Sequence, residues 1–151
     1  MLFRRVRAEF SDGVIDLLPL RLYPPEKEMG FGPVYDYMIV PHGTHREVGR
    51  ISLRMGESPC VYYFGHIGYH VDPPYRGNHY ARRACALLRP LIALHGKSSV
   101  VITTDPDNWA SRKTCLGLGC TLERTVAVPQ EIRDRWEISA VKCRYIWRID
   151  G

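Results

Sequence analysis

Short hydrophobic stretches with strand character recur along the first half of the chain. They predict strands at Val14–Leu22, Val34–Val40, Glu47–Leu53 and Val61–Val71. A loop rich in Pro and Gly separates the first two strands over residues 24–33, and a hairpin turn over residues 41–45 joins the next pair. Gly65 and Gly68 lie inside the fourth stretch. Interior glycines weaken a strand and often mark a bulge or a close backbone approach.

A helical period follows the fourth strand. Apolar side chains recur at intervals of three and four at Tyr80, Ala84, Leu87, Leu88, Leu91 and Ile92. Gly96 lies where a helix commonly ends, and Pro90 predicts a kink because it cannot donate a helical hydrogen bond. The pattern therefore predicts a strand–turn–helix unit from about His66 to His95.

The rest of the chain predicts one more helix and three strands. These are strands at Ser98–Thr104, Thr121–Val128 and Cys143–Ile149, a helix at Trp109–Leu118, and a helical turn around Glu131–Trp136. The order β, β, β, β, α, β, α, β, β predicts an α+β fold with a mixed, mostly antiparallel sheet flanked by helices. A length of 151 residues fits a single domain over residues 1–151.

Composition narrows the choice of partner. The chain is 45% hydrophobic and 25% charged, as in ordinary globular proteins. Its net charge of +5 would suit nucleic acid, an anionic membrane or a phosphorylated cofactor. The basic residues are scattered in runs of no more than two, so we expect no nucleic acid and favour an anionic cofactor. Nucleic-acid binding stays a third, less favoured interpretation.

Several features predict a cytoplasmic protein. The five cysteines are odd in number and form no Cys-x-x-Cys pair, which is typical of free thiols in a reducing compartment. No apolar stretch has the length of a membrane span, so we expect no membrane partner. The first five residues lead into no apolar segment, and we expect no signal peptide.

The junction between the fourth strand and the first helix suits an anion. It reads Val71-Asp72-Pro73, then Arg76-Gly77-Asn78 at the turn. A helix start presents unpaired N–H groups and the positive end of the helix dipole, which bind phosphate without a special side chain. Gly77 permits a tight turn, and the small Ala81 permits close approach.

Two segments resemble the GNAT family of N-acetyltransferases. Val71-x-Pro73-x-Tyr75-Arg76-Gly77-x-x-x-Ala81 is similar to the family's motif A, whose pattern is Gln/Arg-x-x-Gly-x-Gly/Ala. Here the pattern reads Arg76-x-x-His79-x-Ala81, with His79 in place of the middle glycine. The segment Asn108-Trp109-Ala110-Ser111 resembles the Asn-x-x-Ser element of the branch that acetylates ribosomal-protein N-termini. Together the two segments cover about residues 61–128.

The resemblance implies the GNAT fold, with a short first helical region because the loop at 24–33 cannot hold the two helices usual there. It implies acetyl-coenzyme A as co-substrate. The backbone around Tyr69 and Val71 would pair with the pantetheine arm, and Asn108 and Ser111 would bond the pantetheine or the phosphates. The N–H groups from Gly77 to Ala81 would hold the pyrophosphate. The cofactor-binding residues of motif A would thus be Gly77, Asn78, His79, Tyr80 and Ala81, together with Arg76. Arg82, Arg83 or Lys113 would meet the remaining phosphate charge.

The implied reaction is direct transfer of acetyl from the thioester to a primary amine, which must first lose a proton. His66 and His70 are the candidate bases, since histidine titrates near neutral pH. Both should share one strand face with Gly68, open towards a cleft. At strand rise they lie about 13 Å apart, so both cannot serve one proton. Many family members place a tyrosine on the second helix as an acid. Here that position is Cys115, which we expect to be a small core residue rather than an acid or a nucleophile.

Some features stay open at this point. By analogy alone, the acceptor amine would meet Glu26, Glu28, Tyr35 and Tyr37. His42-x-x-His45 has no third ligand nearby in sequence, and we predict no metal. The acceptor is either a small molecule or a protein N-terminus, and the oligomeric state is not indicated. The alternative function is a coenzyme A sensor that binds without turnover.

Overall fold

The computed structural model describes residues 7–28 and 30–150. Its strands are β1 (Phe10–Ser11), β2 (Ile15–Tyr23), β3 (Val34–Pro41), β4 (Gly49–Arg54), β5 (Ile67–Val71), β6 (Ser99–Thr104), β7 (Thr121–Ala127) and β8 (Val141–Arg148). Its helices are α1 (Pro59–Phe64), α2 (Tyr80–Leu87), α3 (Arg89–Leu94), α4 (Trp109–Gly117) and α5 (Gln130–Arg135). None of these described helices is long and apolar enough to cross a membrane.

The strands form one mixed sheet in the order β1-β2-β3-β4-β5-β6-β8-β7. Among the described strands only β5 and β6 pair in parallel, and every other pair is antiparallel. The prediction of an α+β fold with a mostly antiparallel sheet is therefore confirmed. The two-residue strand β1 carried no signal in the sequence.

Alternation along β4 separates a core face from a polar face. Ile51 and Leu53 are buried in the main core with Leu88 and Ile92, which belong to the α2–α3 region. Arg50, Ser52 and Arg54 alternate with them and so point to the other side of the sheet. The hydrophobic pattern thus fixes which face of the sheet is left for polar chemistry.

The predicted strand over residues 61–71 is wrong in its first half. Residues Pro59–Phe64 form helix α1 instead, and the strand begins only at Ile67. The hydroxyl of Ser58 accepts a hydrogen bond from the N–H of Val61 at 3.2 Å, and Pro59 occupies the first helical turn. A serine cap followed by proline is a helix start signal, and it prevails over the strand preference of the aromatic residues that follow.

The helix predicted after the turn is interrupted where proline requires it. α2 ends at Leu87 and α3 begins at Arg89, so the break falls at Leu88, two residues before Pro90. Gly96, at φ 74°, ends the second helix as expected. The helical turn expected near residue 131 is confirmed as α5.

Strands β5 and β6 meet only where β5 begins, beside the middle of β6, and then separate. Their register joins a single pair, Ile67 with Ile102. The N–H of His66 donates to the carbonyl of Val101 at 2.7 Å. At Gly65 a side chain would press on β6, because a Cβ there would lie 3.0 Å from the nitrogen of Thr103. The glycine therefore allows the close approach, and a cleft opens beyond it.

Candidate active site

The turn before α2 places backbone N–H groups at the mouth of this cleft. Gly77 has φ 89° and His79 has φ 60°, both in the left-handed region. The first intrahelical bond of α2 runs from the N–H of Arg83 to the carbonyl of His79 at 3.0 Å. The N–H groups of Tyr80, Ala81 and Arg82 therefore precede the helical ladder and are available to a ligand. At His79 the left-handed backbone that glycine adopts freely costs about 1–2 kcal/mol.

These N–H groups border a cavity of about 420 Å³, which we call the anion cavity. It is lined by Tyr69, His70, Val71, Tyr75, Arg76, Gly77, His79, Tyr80, Ala81, Arg82, Asn108, Ala110, Ser111, Lys113 and Thr114. None of these described lining residues carries a carboxylate, whereas Arg76, Arg82 and Lys113 are cations. Positive helix-terminal groups without competing acids suit a phosphorylated ligand.

The structure brings together all but two of the residues predicted to bind the cofactor. One exception is Asn78, whose side-chain amide donates to the carbonyl of Tyr75 at 2.9 Å and so closes the turn. Arg83, the weaker candidate for a phosphate ligand, instead forms an ion pair with Asp12 at 3.0 Å and does not line the cavity. Lys113 does line it. The binding roles themselves stay predictions.

The free edge of β5 faces the cleft. On its other side, the N–H of Arg54 donates to the carbonyl of His66 and the N–H of Asp72 donates to the carbonyl of Val48, at 2.6 and 2.8 Å. Because bonding alternates along an antiparallel pair, the backbone of Tyr69 points away from β4, towards the side from which β6 has separated. At Val71 the carbonyl accepts a bond from Nε of Arg76 at 2.8 Å. An extended chain could add to this edge between those points.

Side chains from β5 and α4 meet at the inner end of the anion cavity. The side-chain oxygen of Asn108 caps α4 by accepting from the N–H of Ser111 at 3.1 Å. The hydroxyl groups of Ser111 and Tyr69 lie 2.8 Å apart. Burial raises the pKa of the Tyr69 hydroxyl, which therefore stays protonated. This cap and this bond fix the polar groups against which a ligand would lie.

A second cavity of about 310 Å³, which we call the acceptor cavity, adjoins the first. The two share Tyr69, Asn108 and Ser111. The acceptor cavity is also lined by Arg54, Phe64, Ile67, Gly68, Thr103, Thr104, Asp105, Glu137, Ile138, Ser139 and Lys142. None of its charged residues is predicted from the sequence, because they come from β4, from the loop after β6 and from the segment around β8.

The acids and bases of the acceptor cavity are partly paired. Lys142 donates to Asp105 at 2.7 Å, and the hydroxyl of Ser139 donates to the same carboxylate oxygen at 2.5 Å. Burial alone would raise the pKa of Asp105, but these hydrogen bonds hold it below its usual value. Asp105 is therefore an ionised carboxylate whose charge is balanced by Lys142. Arg54 makes no ion pair with any residue that the structure describes.

The expectation that His66 opens onto a cleft is wrong. Its side chain is 5% exposed and lines neither cavity. Nδ1 accepts a bond from the N–H of Val101 at 2.9 Å, so Nε2 carries the proton and donates to Glu57 at 2.9 Å. Burial lowers the pKa of His66, although Glu57 opposes this. At His66 strand β6 still lies alongside β5, and it covers the ring.

His70 lies where β6 has already separated. Its side chain is 60% exposed, the residue lines the anion cavity, and Nε2 is 3.7 Å from the carboxylate of Asp72. The structure thus leaves His70 accessible, in contrast to His66, and its role as a base stays a prediction.

Cys115 is a buried core residue, as expected from the sequence. It is fully buried. The neighbouring Cys120 thiol and burial both raise the pKa of Cys115, so its sulfur stays protonated. A buried, protonated thiol is a poor nucleophile.

None of the four residues placed at the acceptor by analogy, Glu26, Glu28, Tyr35 and Tyr37, lines either cavity. Tyr37 is 2% exposed in the core, and the hydroxyl of Tyr35 pairs with His95 at 2.7 Å beside α3. Both are on the core face of β3, away from the acceptor cavity. In the other histidine pair, His42 contacts the carboxylate of Asp16 at 2.8 Å. Among the described residues no three potential ligands gather as a metal site would require.

Comparisons with known proteins agree with this architecture. The family model of the acetyltransferase (GNAT) domain matches residues 19–121. A comparison with curated protein sequences finds no match. Among solved structures, the ribosomal-protein-S5-alanine acetyltransferase from Vibrio fischeri is similar over 78% of this chain, with 20% identity and a TM-score of 0.60. The RimL ribosomal L7/L12 α-N-protein acetyltransferase in complex with coenzyme A is similar over 78% of this chain, with 21% identity and a TM-score of 0.58. A GNAT-family acetyltransferase from Bacillus anthracis is similar over 77% of this chain, with 17% identity and a TM-score of 0.59.

The chain is shorter than these neighbours. It spans 63% of the Vibrio fischeri protein, 63% of RimL and 67% of the Bacillus anthracis protein. At this level of identity the likeness concerns the fold, and it confirms the GNAT-like architecture predicted from the motif.

Proposed function

Since the chain belongs to the GNAT family of acetyltransferases, we propose that it transfers the acetyl group of acetyl-coenzyme A to a primary amine. The observation that carries the proposal is the junction of the anion cavity with the polar acceptor cavity at Tyr69 and Ser111. Two substrates bound in adjoining cavities would meet there. The RimL neighbour was solved with coenzyme A, which supports the same choice of co-substrate.

The pyrophosphate and the pantetheine arm of the coenzyme each have a matching part of the anion cavity. The pyrophosphate would receive hydrogen bonds from the N–H groups that begin α2, with Arg82 and Lys113 as nearby cations. The pantetheine arm would run along the free edge of β5 beside Tyr69 and Val71. This assignment places the thioester at the end of the anion cavity that the acceptor cavity adjoins.

The transfer step needs a neutral amine. A base removes a proton from the ammonium, and we assign that role to His70 because it is the accessible candidate. The nitrogen attacks the thioester carbonyl, the N–C bond forms, and an N–H group of the free β5 edge stabilises the oxyanion. The C–S bond then breaks, the nitrogen loses its second proton, and the thiolate takes one up. The products are an amide and free coenzyme A.

The direct test is thiol release from acetyl-coenzyme A in the presence of a panel of primary amines. We expect release that depends on the amine and yields one acetylated product per thiol, as judged by mass spectrometry. Binding of coenzyme A without any amine-dependent release would instead support the sensor function. Calorimetry that detects no binding of coenzyme A would refute both.

Replacing His70 by glutamine should lower kcat by about 10²-fold or more, since general bases contribute at least that much. We expect the KM for acetyl-coenzyme A to change little. The matched control is His45→Gln, which alters an exposed histidine outside both cavities. Equal, mild effects of the two substitutions would show that His70 is not the base.

A further inference from the structure

Arg54 places a positive charge at the wall of the acceptor cavity. Its guanidinium lies over Gly68, where a Cβ would be only 3.1 Å from Cζ of the arginine. The glycine therefore makes room for the guanidinium. Nη1 donates to the carbonyl oxygens of Phe64 and Gly65 at 3.4 and 3.2 Å, at the end of α1. The charge is thus held in one place at the wall of the cavity.

This cation has no counterion within ion-pair distance among the described residues. Asp105 is already engaged by Lys142 and Ser139, and Asp36 accepts a hydrogen bond from Ser52 at 2.5 Å. Burial lowers the pKa of Arg54, and the more distant Asp36 charge opposes this. A partly buried cation without a partner is costly, and an anion entering the cavity would offset that cost.

The guanidinium also has donors to spare. Arginine carries five N–H donors in a rigid fork, and the two bonds to carbonyl oxygens use only those of Nη1. The edge formed by Nε and Nη2 is the side on which arginine binds a carboxylate through two parallel hydrogen bonds. The geometry therefore suits a planar anion better than a lone polar group.

We propose that Arg54 binds a carboxylate of the acetyl acceptor, so that the acceptor is a small amine carrying a carboxylate, such as an amino acid. The inference rests on the proposed function, because it takes the acceptor cavity as the site of the amine. Glu137, exposed at the same cavity, supplies a negative charge for the ammonium group. The two charges of a zwitterion would each find a partner. A peptide N-terminus with a neutral side chain lacks the carboxylate and leaves Arg54 unpaired.

A purely structural role for Arg54, as a cap on the carbonyls that end α1, makes a different prediction. Such a cap would affect stability but would not distinguish a carboxylate from its neutral amide. Selectivity between an acid and the matching amide is therefore the decisive readout. It can be measured on the unmodified protein, and so it does not depend on whether a variant folds.

The first experiment measures binding by calorimetry to the protein saturated with coenzyme A. The probes are the reaction-product analogues N-acetylglycine, N-acetyl-β-alanine and N-acetyl-γ-aminobutyrate, each beside its carboxamide. We expect at least one acid to bind at least about tenfold more tightly than its amide, as a charge-assisted bidentate pair would give. Equal affinity of acid and amide for all three spacings would overturn the proposal.

The variants then assign the selectivity to its residue. Arg54→Met should abolish the preference for the acid, and Arg54→Lys, which keeps the charge but loses the fork, should retain part of it. Arg50→Met is the matched control because it removes an equal charge from the same face of β4, where Arg50 pairs with Glu47 at 2.7 Å outside both cavities. Unchanged affinity for coenzyme A shows that a variant is folded. A preference for the acid that persists in Arg54→Met would overturn the proposal.

Turnover separates this inference from the proposed function. With amino acids and their amides as acceptors, we expect kcat/KM to favour the acids at least about tenfold in the unmodified protein and not in Arg54→Met. A selective acid site without any acetyl transfer would refute the proposed function and leave the carboxylate site standing. Faster transfer to a neutral peptide N-terminus, unaffected by Arg54→Met, would refute the carboxylate site and leave the function standing.

Discussion

Replacement of Gly77 by proline is expected to raise the dissociation constant for coenzyme A on the order of 100-fold. Gly77 has φ 89°, whereas proline is fixed near −65°, so the turn that presents the first N–H groups of α2 cannot form in the same way. Proline also removes the N–H of residue 77. Isothermal titration calorimetry with coenzyme A measures the effect directly.

The matched control for this substitution is Gly43→Pro. Gly43 has φ 75° in the turn between β3 and β4, and a Cβ there would meet nothing within 4 Å. It lines neither cavity, so its replacement should cost comparable backbone strain without a change in coenzyme affinity. If Gly77→Pro bound coenzyme A as tightly as Gly43→Pro does, the placement of the pyrophosphate at the start of α2 would be wrong.

The second large effect is expected for His66→Ala, which should lower the free energy of unfolding by about 2–4 kcal/mol. The substitution leaves the N–H of Val101 without its side-chain acceptor and creates a void between β5 and β6. His70→Ala, at an exposed position on the same strand region, should cost no more than about 0.5 kcal/mol. Urea denaturation followed by circular dichroism compares the two. Equal losses would show that the ring of His66 does not hold the strands together.

The same histidine predicts how stability depends on pH. The unfolded chain binds a proton at His66 near pH 6.5, whereas the folded protein does so only at a lower pH because burial lowers the pKa of His66. As the pH falls through 6.5, the unfolded state therefore takes up the proton first, and stability decreases until the folded pKa is passed. His66→Asn offers an oxygen to Val101 but does not titrate. In this variant the urea midpoint should change less between pH 7.5 and 5.5 than it does in the unmodified protein. An unchanged slope would assign the pH dependence to other groups.

The strands and helices could be predicted wherever a single local signal dominates. The turn at Gly77 and the break before Pro90 follow from backbone restrictions that any sequence context would impose. The sequence predicts a strand in place of helix α1, because the apolar residues after Pro59 have a strong strand preference. Ser58 and Pro59 nevertheless form a helix start signal. Attention to the cap before the hydrophobic stretch would have found it.

The acceptor cavity could not be predicted because it depends on distant parts of the chain meeting. Lys142 reaches Asp105 across 37 positions of sequence. Gly68 did indicate a close approach, but only the pairing of β4 with β5 shows that the approaching group is the guanidinium of Arg54. The same limit explains the error at His66. Its spacing from His70 is right for one strand face, yet β6 covers one position and not the other.

The contact between β5 and β6 is narrow. Within the sheet, strands β1 to β5 and strands β6 to β8 are joined by one short seam, formed by the pairing of Ile67 with Ile102 and by the bonds between His66 and Val101. A ligand bound along the open edge of β5 would contact both halves of the sheet and strengthen the connection between them. The stability of the protein would then rise with ligand occupancy.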